Sequence, residues 1–164
     1  MTLSEQGVAL IKGFEKCRLE AYRDSAGVWT IGWGNTSYEN GTRVKAGDRL
    51  SQYRADDLFK RIVQRFVNDV NFLTKGINLL QHQFDSLVSF AYNVGSDIDI
   101  DQIAEGLGDS TLLKLVRSDA NNPKIEAEFL KWNKSGGKKL DGLTRRRQAE
   151  AHLYFIGQLN FFES

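Results

Sequence analysis

Apolar residues recur at helical spacing along most of the chain and alternate with polar ones only near its start. Gly7, Leu10, Ile11 and Phe14 predict a helix over about residues 3–15, opened by Thr2-Leu3-Ser4-Glu5 as a capping box in which Glu5 answers the amide of Thr2. The period then changes. Leu19 to Tyr22 reads as a short strand, Asp24-Ser25-Ala26-Gly27 as a turn, and Val28 to Trp33 as the returning strand. On that returning strand Trp29, Ile31 and Trp33 share one face and Thr30 takes the other. Tyr38-Glu39-Asn40-Gly41 signals another turn, after which Thr42-Arg43-Val44 can supply a third strand.

From Ser51 the helical period returns. Phe59, Ile62, Val63, Phe66, Val70 and Leu73 line one face up to a stop at Gly76, and Asp56, Asp57, Lys60, Arg61 and Arg65 read as its solvated side. Gln81 to Val94 is a second helix, with Phe84, Leu87, Val88 and Ala91 as core positions, ending before Gly95. Ser110 can cap a helix to about Arg117, and Asn122-Pro123 can open one from Lys124 to Trp132. Gly136-Gly137 with Lys134, Lys138 and Lys139 reads as a flexible basic loop, and Asp141 as the cap of a last helix through Leu143, Ala149 and Leu153. The expected fold is α+β and predominantly α-helical. A small three-stranded sheet lobe (16–50), a connecting helix (51–75) and a helical lobe (76–164 plus 1–15) make up a single domain over residues 1–164, with a cleft between the lobes.

Composition narrows the function classes. At 164 residues, with 41% hydrophobic and 26% charged, the chain can bury a core without staples. A formal net charge of +1 opposes a chain built chiefly to bind nucleic acid or an anionic membrane. No apolar run reaches membrane-spanning length and no signal peptide is recognisable, so a soluble monomer without membrane insertion is expected. The lone Cys17 implies no internal disulfide, and no histidine near it in sequence suggests a catalytic thiol. His82 and His152 lack metal-ligand spacing. Asp97-Ile98-Asp99-Ile100-Asp101 begins like a calcium loop, but Gln102 stands where glycine is needed and Gly108 where the bidentate glutamate belongs. The run reads instead as an acidic loop between helices, with no metal and no cofactor.

The chemistry concentrates between Gly13 and Thr36. Glu15 at a helix end faces a hairpin that carries Asp24 and Thr30, and two carboxyls with a hydroxyl can divide the labour of glycoside hydrolysis. One carboxyl gives its proton to the leaving oxygen while the other directs water. Tyr22, Trp29 and Trp33 suit a sugar-lined cleft, although core packing explains the tryptophans as readily.

Glu15, Asp24 nine positions on and Thr30 six further, set in Gly13-Phe14-Glu15 and Thr30-Ile31-Gly32-Trp33-Gly34, resemble the catalytic triad of the phage T4-type lysozymes, glycoside hydrolase family 24. Tyr92-Asn93-Val94-Gly95, Ser110-Thr111-Leu112-Leu113 and Gly142-Leu143-Thr144-Arg145-Arg146-Arg147 are similar to that family in the same order. The resemblance implies a lysozyme-like two-lobe fold and an inverting muramidase that cleaves the β-1,4 bond between N-acetylmuramic acid and N-acetylglucosamine in bacterial peptidoglycan. A phage protein of this kind would stay in the host cytoplasm until released to the wall. In that reading Glu15 is the general acid, Asp24 directs water and Thr30 helps to hold it, with Asn35, Tyr92, Asn93 and Arg146 in support and no cofactor. The resemblance also implies that Arg146 meets Glu15. Helical spacing puts Arg146 with Ala149, Glu150 and Leu153 on an inward face and leaves Arg145 and Arg147 free to be solvated. A non-catalytic peptidoglycan-binding module on the same scaffold is the rival reading, and a nucleic-acid-binding helical protein a more remote one.

Overall fold

The computed structural model describes residues 1–99 and 101–163. Ile100, in the middle of the acidic run, and Ser164 lie outside the described residues. The described residues form helices α1 (Glu5–Glu15), α2 (Gln52–Leu73), α3 (Gln81–Val94), α4 (Thr111–Ser118), α5 (Ile125–Leu130) and α6 (Asp141–Ile156), and hairpins β1 (Arg18–Arg23) with β2 (Trp29–Gly32) and β3 (Lys134–Ser135) with β4 (Lys138–Lys139). Two compact units result, Lys12–Arg65 and Met1–Ile11 with Phe66–Ser164, whose boundaries fall inside α1 and α2. No described helix is long and apolar enough to cross a membrane.

In the unit Lys12–Arg65, β1 and β2 pair antiparallel with Tyr22 opposite Thr30 and Arg23 opposite Trp29, and a bulge intervenes between Arg18 and Tyr22. The expected third strand is not formed: Thr42-Arg43-Val44 contributes a single bridge, Ser37 to Arg43, so the sheet is two-stranded. Two backbone bonds flank that bridge, from the Tyr38 amide to the Thr42 carbonyl and from the Val44 amide to the Thr36 carbonyl, and the pairing goes no further because side chains take over on either side. Asn40 Oδ1 accepts the Thr42 amide, and Asp48 Oδ2 accepts both the Lys45 amide and the Tyr38 hydroxyl. The returning strand is also shorter than expected, since Gly32 turns the chain before Trp33.

Burial, and then the hydrogen bond to Asp48, pushes Tyr38 up to about 12. A tyrosine whose folded pKa exceeds its unfolded value near ~10 contributes stability that is complete below that pH and lost as pH rises through the folded value. The thermal midpoint is therefore expected to fall between about pH 10 and 12, with a shallower fall in Tyr38→Phe. An identical profile in that variant would remove Tyr38 as a cause.

In the other unit, α3 is buried along most of its length, with Phe84, Leu87, Val88, Phe90 and Ala91 fully inaccessible. Phe129 stacks edge-on against Phe90 and Tyr154, joining α3, α5 and α6. The α1 cap departs from the expected box: the helix begins at Glu5, and Ser4 Oγ accepts the Gly7 amide while donating to Asp85, which is itself fully buried. Gly7 is required for this approach, because a Cβ there would stand 2.9 Å from the Asp85 carboxyl carbon. Ser110 caps α4 as expected, accepting the Leu113 amide at 3.0 Å. Two expectations near α6 are corrected. The basic segment 134–139 closes as the β3–β4 hairpin, its Gly136-Gly137 turn taking positive φ at both residues, and Asp141 is the first residue of α6 instead of its cap. Without a capping bond to make, Asp141 still suits the positive end of the helix dipole.

Candidate active site

Four of the expected site residues, Glu15, Asp24, Thr30 and Asn35, lie in the unit Lys12–Arg65. Glu15 is the last residue of α1. The helix stops there because Lys16, with φ at 53°, leaves the helical region after its amide has bonded to the Lys12 carbonyl. Its carboxyl is half-buried against Gly34: a Cβ on residue 34 would stand 2.7 Å from the Glu15 carboxyl carbon. Gly34 is at φ +80°, so only glycine meets both the backbone and the spatial requirement there.

Asp24 organises the hairpin turn through one of its carboxylate oxygens. Oδ1 accepts the amides of Ala26 and Val28, both at 2.9 Å, while among the described residues no hydrogen bond reaches Oδ2. Thr30 is buried on β2, and its hydroxyl donates to the Val28 carbonyl at 2.9 Å. With its proton so engaged, Oγ1 can only accept from a water. Tyr22 faces Thr30 across the strands, and burial pushes its phenol up, with the Glu15 carboxylate and then Asp24 adding to the shift against Arg18. Asn35 is buried, and its backbone exchanges both hydrogen bonds with Ile31, closing the turn 32–34.

The remaining three expected residues belong to the other unit. Tyr92, half-buried near the end of α3, tilts against Phe66 with ring centroids 5.3 Å apart, and Asn93 beside it is also half-buried. Arg146, 4% exposed, donates to Glu150 at 3.3 Å and to the Ser89 carbonyl at 3.4 Å. The inward face Arg146, Ala149, Glu150 and Leu153 is observed, but Arg147 is not solvated: it is fully buried. Glu150 explains the difference, since its carboxylate is reached from both i−4 and i−3. It stands 2.7 Å from Arg147 Nε, whose guanidinium also lies over the Phe90 ring. Arg145 alone of the three is exposed.

Sequence reasoning missed two residues around the turn that seats Glu15. Asp56, expected on a solvated helix face, accepts the Trp33 indole N–H at 2.8 Å, and Lys12 lies 3.6 Å from the same carboxylate and 4.6 Å above the Trp33 ring. The signal that could have found Asp56 is the indole itself, which seeks an acceptor whenever it is partly buried.

The acidic loop is organised by Asp97, whose Oδ2 accepts the amides of Glu105, Gly106 and Asp109. Carboxylates of Asp97, Asp99 and Asp109 can approach one another, as can those of Asp99, Asp101 and Glu105. Exposed acids in a turn do not by themselves make a metal site. Cys17 accepts from Gln52 Nε2 at 3.7 Å, and burial pushes its thiol up, so it stays protonated at neutral pH. Cys17→Ser is expected to keep most of the activity, and reductant to leave it unchanged. A many-fold response to reductant would contradict this.

These features define a mostly helical α+β fold with an acid pair and a hydroxyl on a helix end and hairpin, and comparison with known proteins places it. The sequence profile of the family described as phage lysozyme matches residues 12–150, and the chain belongs to that family. It is 41% identical over 160 residues to an endolysin of Bacillus phage B103, covering 96% of this chain and 56% of that protein, so the chain spans little more than half the length of this relative. Among solved structures it is similar to the endolysin from Escherichia coli O157:H7 phage FAHEc1, with a TM-score of 0.82 and 35% identity over 98% of this chain and 97% of that one. It is also similar to the muramidase domain of SpmX from Asticaccaulis excentricus, with a TM-score of 0.74 and 31% identity over 93% and 97%.

Proposed function

We infer that the protein hydrolyses the β-1,4 bond between N-acetylmuramic acid and N-acetylglucosamine in bacterial peptidoglycan, acting as a monomeric muramidase that lyses bacteria. The observation that carries this reading is the placement of Glu15 at the end of α1 against Gly34, beside a hairpin whose turn is built on Asp24 and whose second strand buries Thr30. Glu15, half-buried against Gly34, is the general acid that protonates the leaving oxygen. Asp24 Oδ2 directs a water toward the anomeric carbon, and Thr30 Oγ1 accepts a hydrogen bond from that water, fixing its orientation. Because Asp24 works through water and not as a nucleophile, the anomeric configuration inverts. Asn35 supports the site through the turn it closes, and Tyr92, Asn93 and Arg146 are supporting residues by their match to the family motifs.

Product analysis of digested peptidoglycan tests the reading. New reducing ends on muramic acid, first released as the inverted anomer, are expected. Free peptide termini without new reducing ends would replace it with an amidase or peptidase, and a retained anomer would overturn the assignment of Asp24.

A further inference from the structure

Glu15 owes its place to more than its own helix. The turn against which its carboxyl rests is closed at its base by the paired backbones of Ile31 and Asn35, at 2.8 and 2.9 Å, and carries Trp33 beside Gly34. Trp33 is gripped from two helices. From α2, Asp56 accepts its indole N–H at 2.8 Å and Phe59 meets its ring edge-on, with centroids 6.4 Å apart. From α1, Lys12, one helical turn before Glu15, lies over both rings at 4.6 and 5.0 Å and 3.6 Å from Asp56. One indole therefore ties the helix end that carries the acid to the turn that seats it.

We propose that Trp33 and Asp56 are positioning residues for Glu15: the indole-to-carboxylate hydrogen bond holds the 32–34 turn, and with it Gly34, at the distance from α1 that aims the acid. The proposal rests on Glu15 being the general acid. A purely structural role would show chiefly as lost stability, yet the geometry points elsewhere. Asp56 is 42% exposed and also accepts from Gln52 at 3.2 Å, so removing the indole N–H leaves it solvated and still partnered. Folding loses little by that change. Catalysis is less tolerant, since a displacement of about 1 Å at a reacting group can cost ~100-fold in rate. The same hydrogen bond is the chief reason the Asp56 carboxyl titrates below its ordinary range, as expected of a bond that favours the charged acceptor.

The test uses the full chain and soluble uncross-linked peptidoglycan strands, with kcat, KM and the thermal midpoint measured for each variant. Trp33→Phe keeps an aromatic ring but removes the donor, and is expected to lower kcat about tenfold or more while KM and the midpoint change little. Asp56→Leu should reproduce that loss, and Asp56→Asn, which keeps an acceptor oxygen in place, should restore most of kcat. The double variant Trp33→Phe/Asp56→Leu should be no worse than either single change, because both break one link. Unaltered kcat in Trp33→Phe would overturn the proposal. So would a loss carried by KM, a loss explained by unfolding, or equal damage from Asp56→Asn and Asp56→Leu. Inactive Glu15→Gln beside a fully active Trp33→Phe would remove the strut alone, whereas a fully active Glu15→Gln would remove the general acid itself.

Discussion

Glu15→Gln is expected to abolish lysis while leaving the fold intact. The amide has nearly the size of the carboxyl and still fits over Gly34, but it has no acidic proton for the leaving oxygen. General-acid assistance is worth ~100- to 10,000-fold, and a leaving sugar that must depart as a bare alkoxide loses that much. Turbidity loss in permeabilised cells measures the effect, and circular dichroism checks the fold. Full lysis by the variant would show that the proton comes from elsewhere. The pattern across kcat and kcat/KM adds information: an equal fall in both marks an interaction made only in the transition state.

Glu150→Met is expected to be the most destabilising single change. Glu150 is fully buried and serves three partners: Ser89 Oγ donates to it at 2.8 Å, Arg147 lies against both of its oxygens, and Arg146 donates at 3.3 Å. Removing the carboxylate leaves two buried cations without their shared counter-charge, and breaking a buried ion pair from one side costs about 3–5 kcal/mol. For a domain of this size that corresponds to a fall in thermal midpoint of roughly 10 °C. Arg147→Met should cost less, because Glu150 then keeps Arg146 and Ser89, while the long apolar side chain still fills space beside Phe90. Denaturant unfolding of the two variants decides the order. A Glu150→Met loss below about 1 kcal/mol would mean that water reaches the site and solvates the arginines.

The elements that sequence could place were those whose signal is local. The bounds of α3 coincide with the expected Gln81 to Val94 because a periodic apolar stripe and a following glycine are both written within the segment itself. Ser110 at the start of α4 and the turn carried by Asp24 were legible for the same reason, since a side chain that caps its own neighbours needs no distant partner. Glu15, Asp24 and Thr30 became candidates through their spacing, which local chemistry rationalises and family likeness selects.

What tertiary structure decided are pairings between residues far apart in sequence. Thr42 to Val44 has the composition of a strand and pairs once with residues 36–38, but Asn40 and Asp48 engage the amides of Thr42 and Lys45, so the pairing stops at one bridge. Ser4 caps α1 because Asp85, 81 residues away, is buried beside it and requires donors. Arg147 looked solvated by charge and went inside because Glu150 was already there to receive it, a preference that no hydrophobicity pattern encodes. Asp56 is the instructive case for function. On its own helix it is one more surface acid, and only the arrival of the Trp33 indole, 23 residues earlier in the chain, gives it a partner in the turn that seats Glu15. Helical and strand periods are properties of neighbours along the chain, whereas counter-charges and hydrogen-bond acceptors are supplied by whatever the fold brings near.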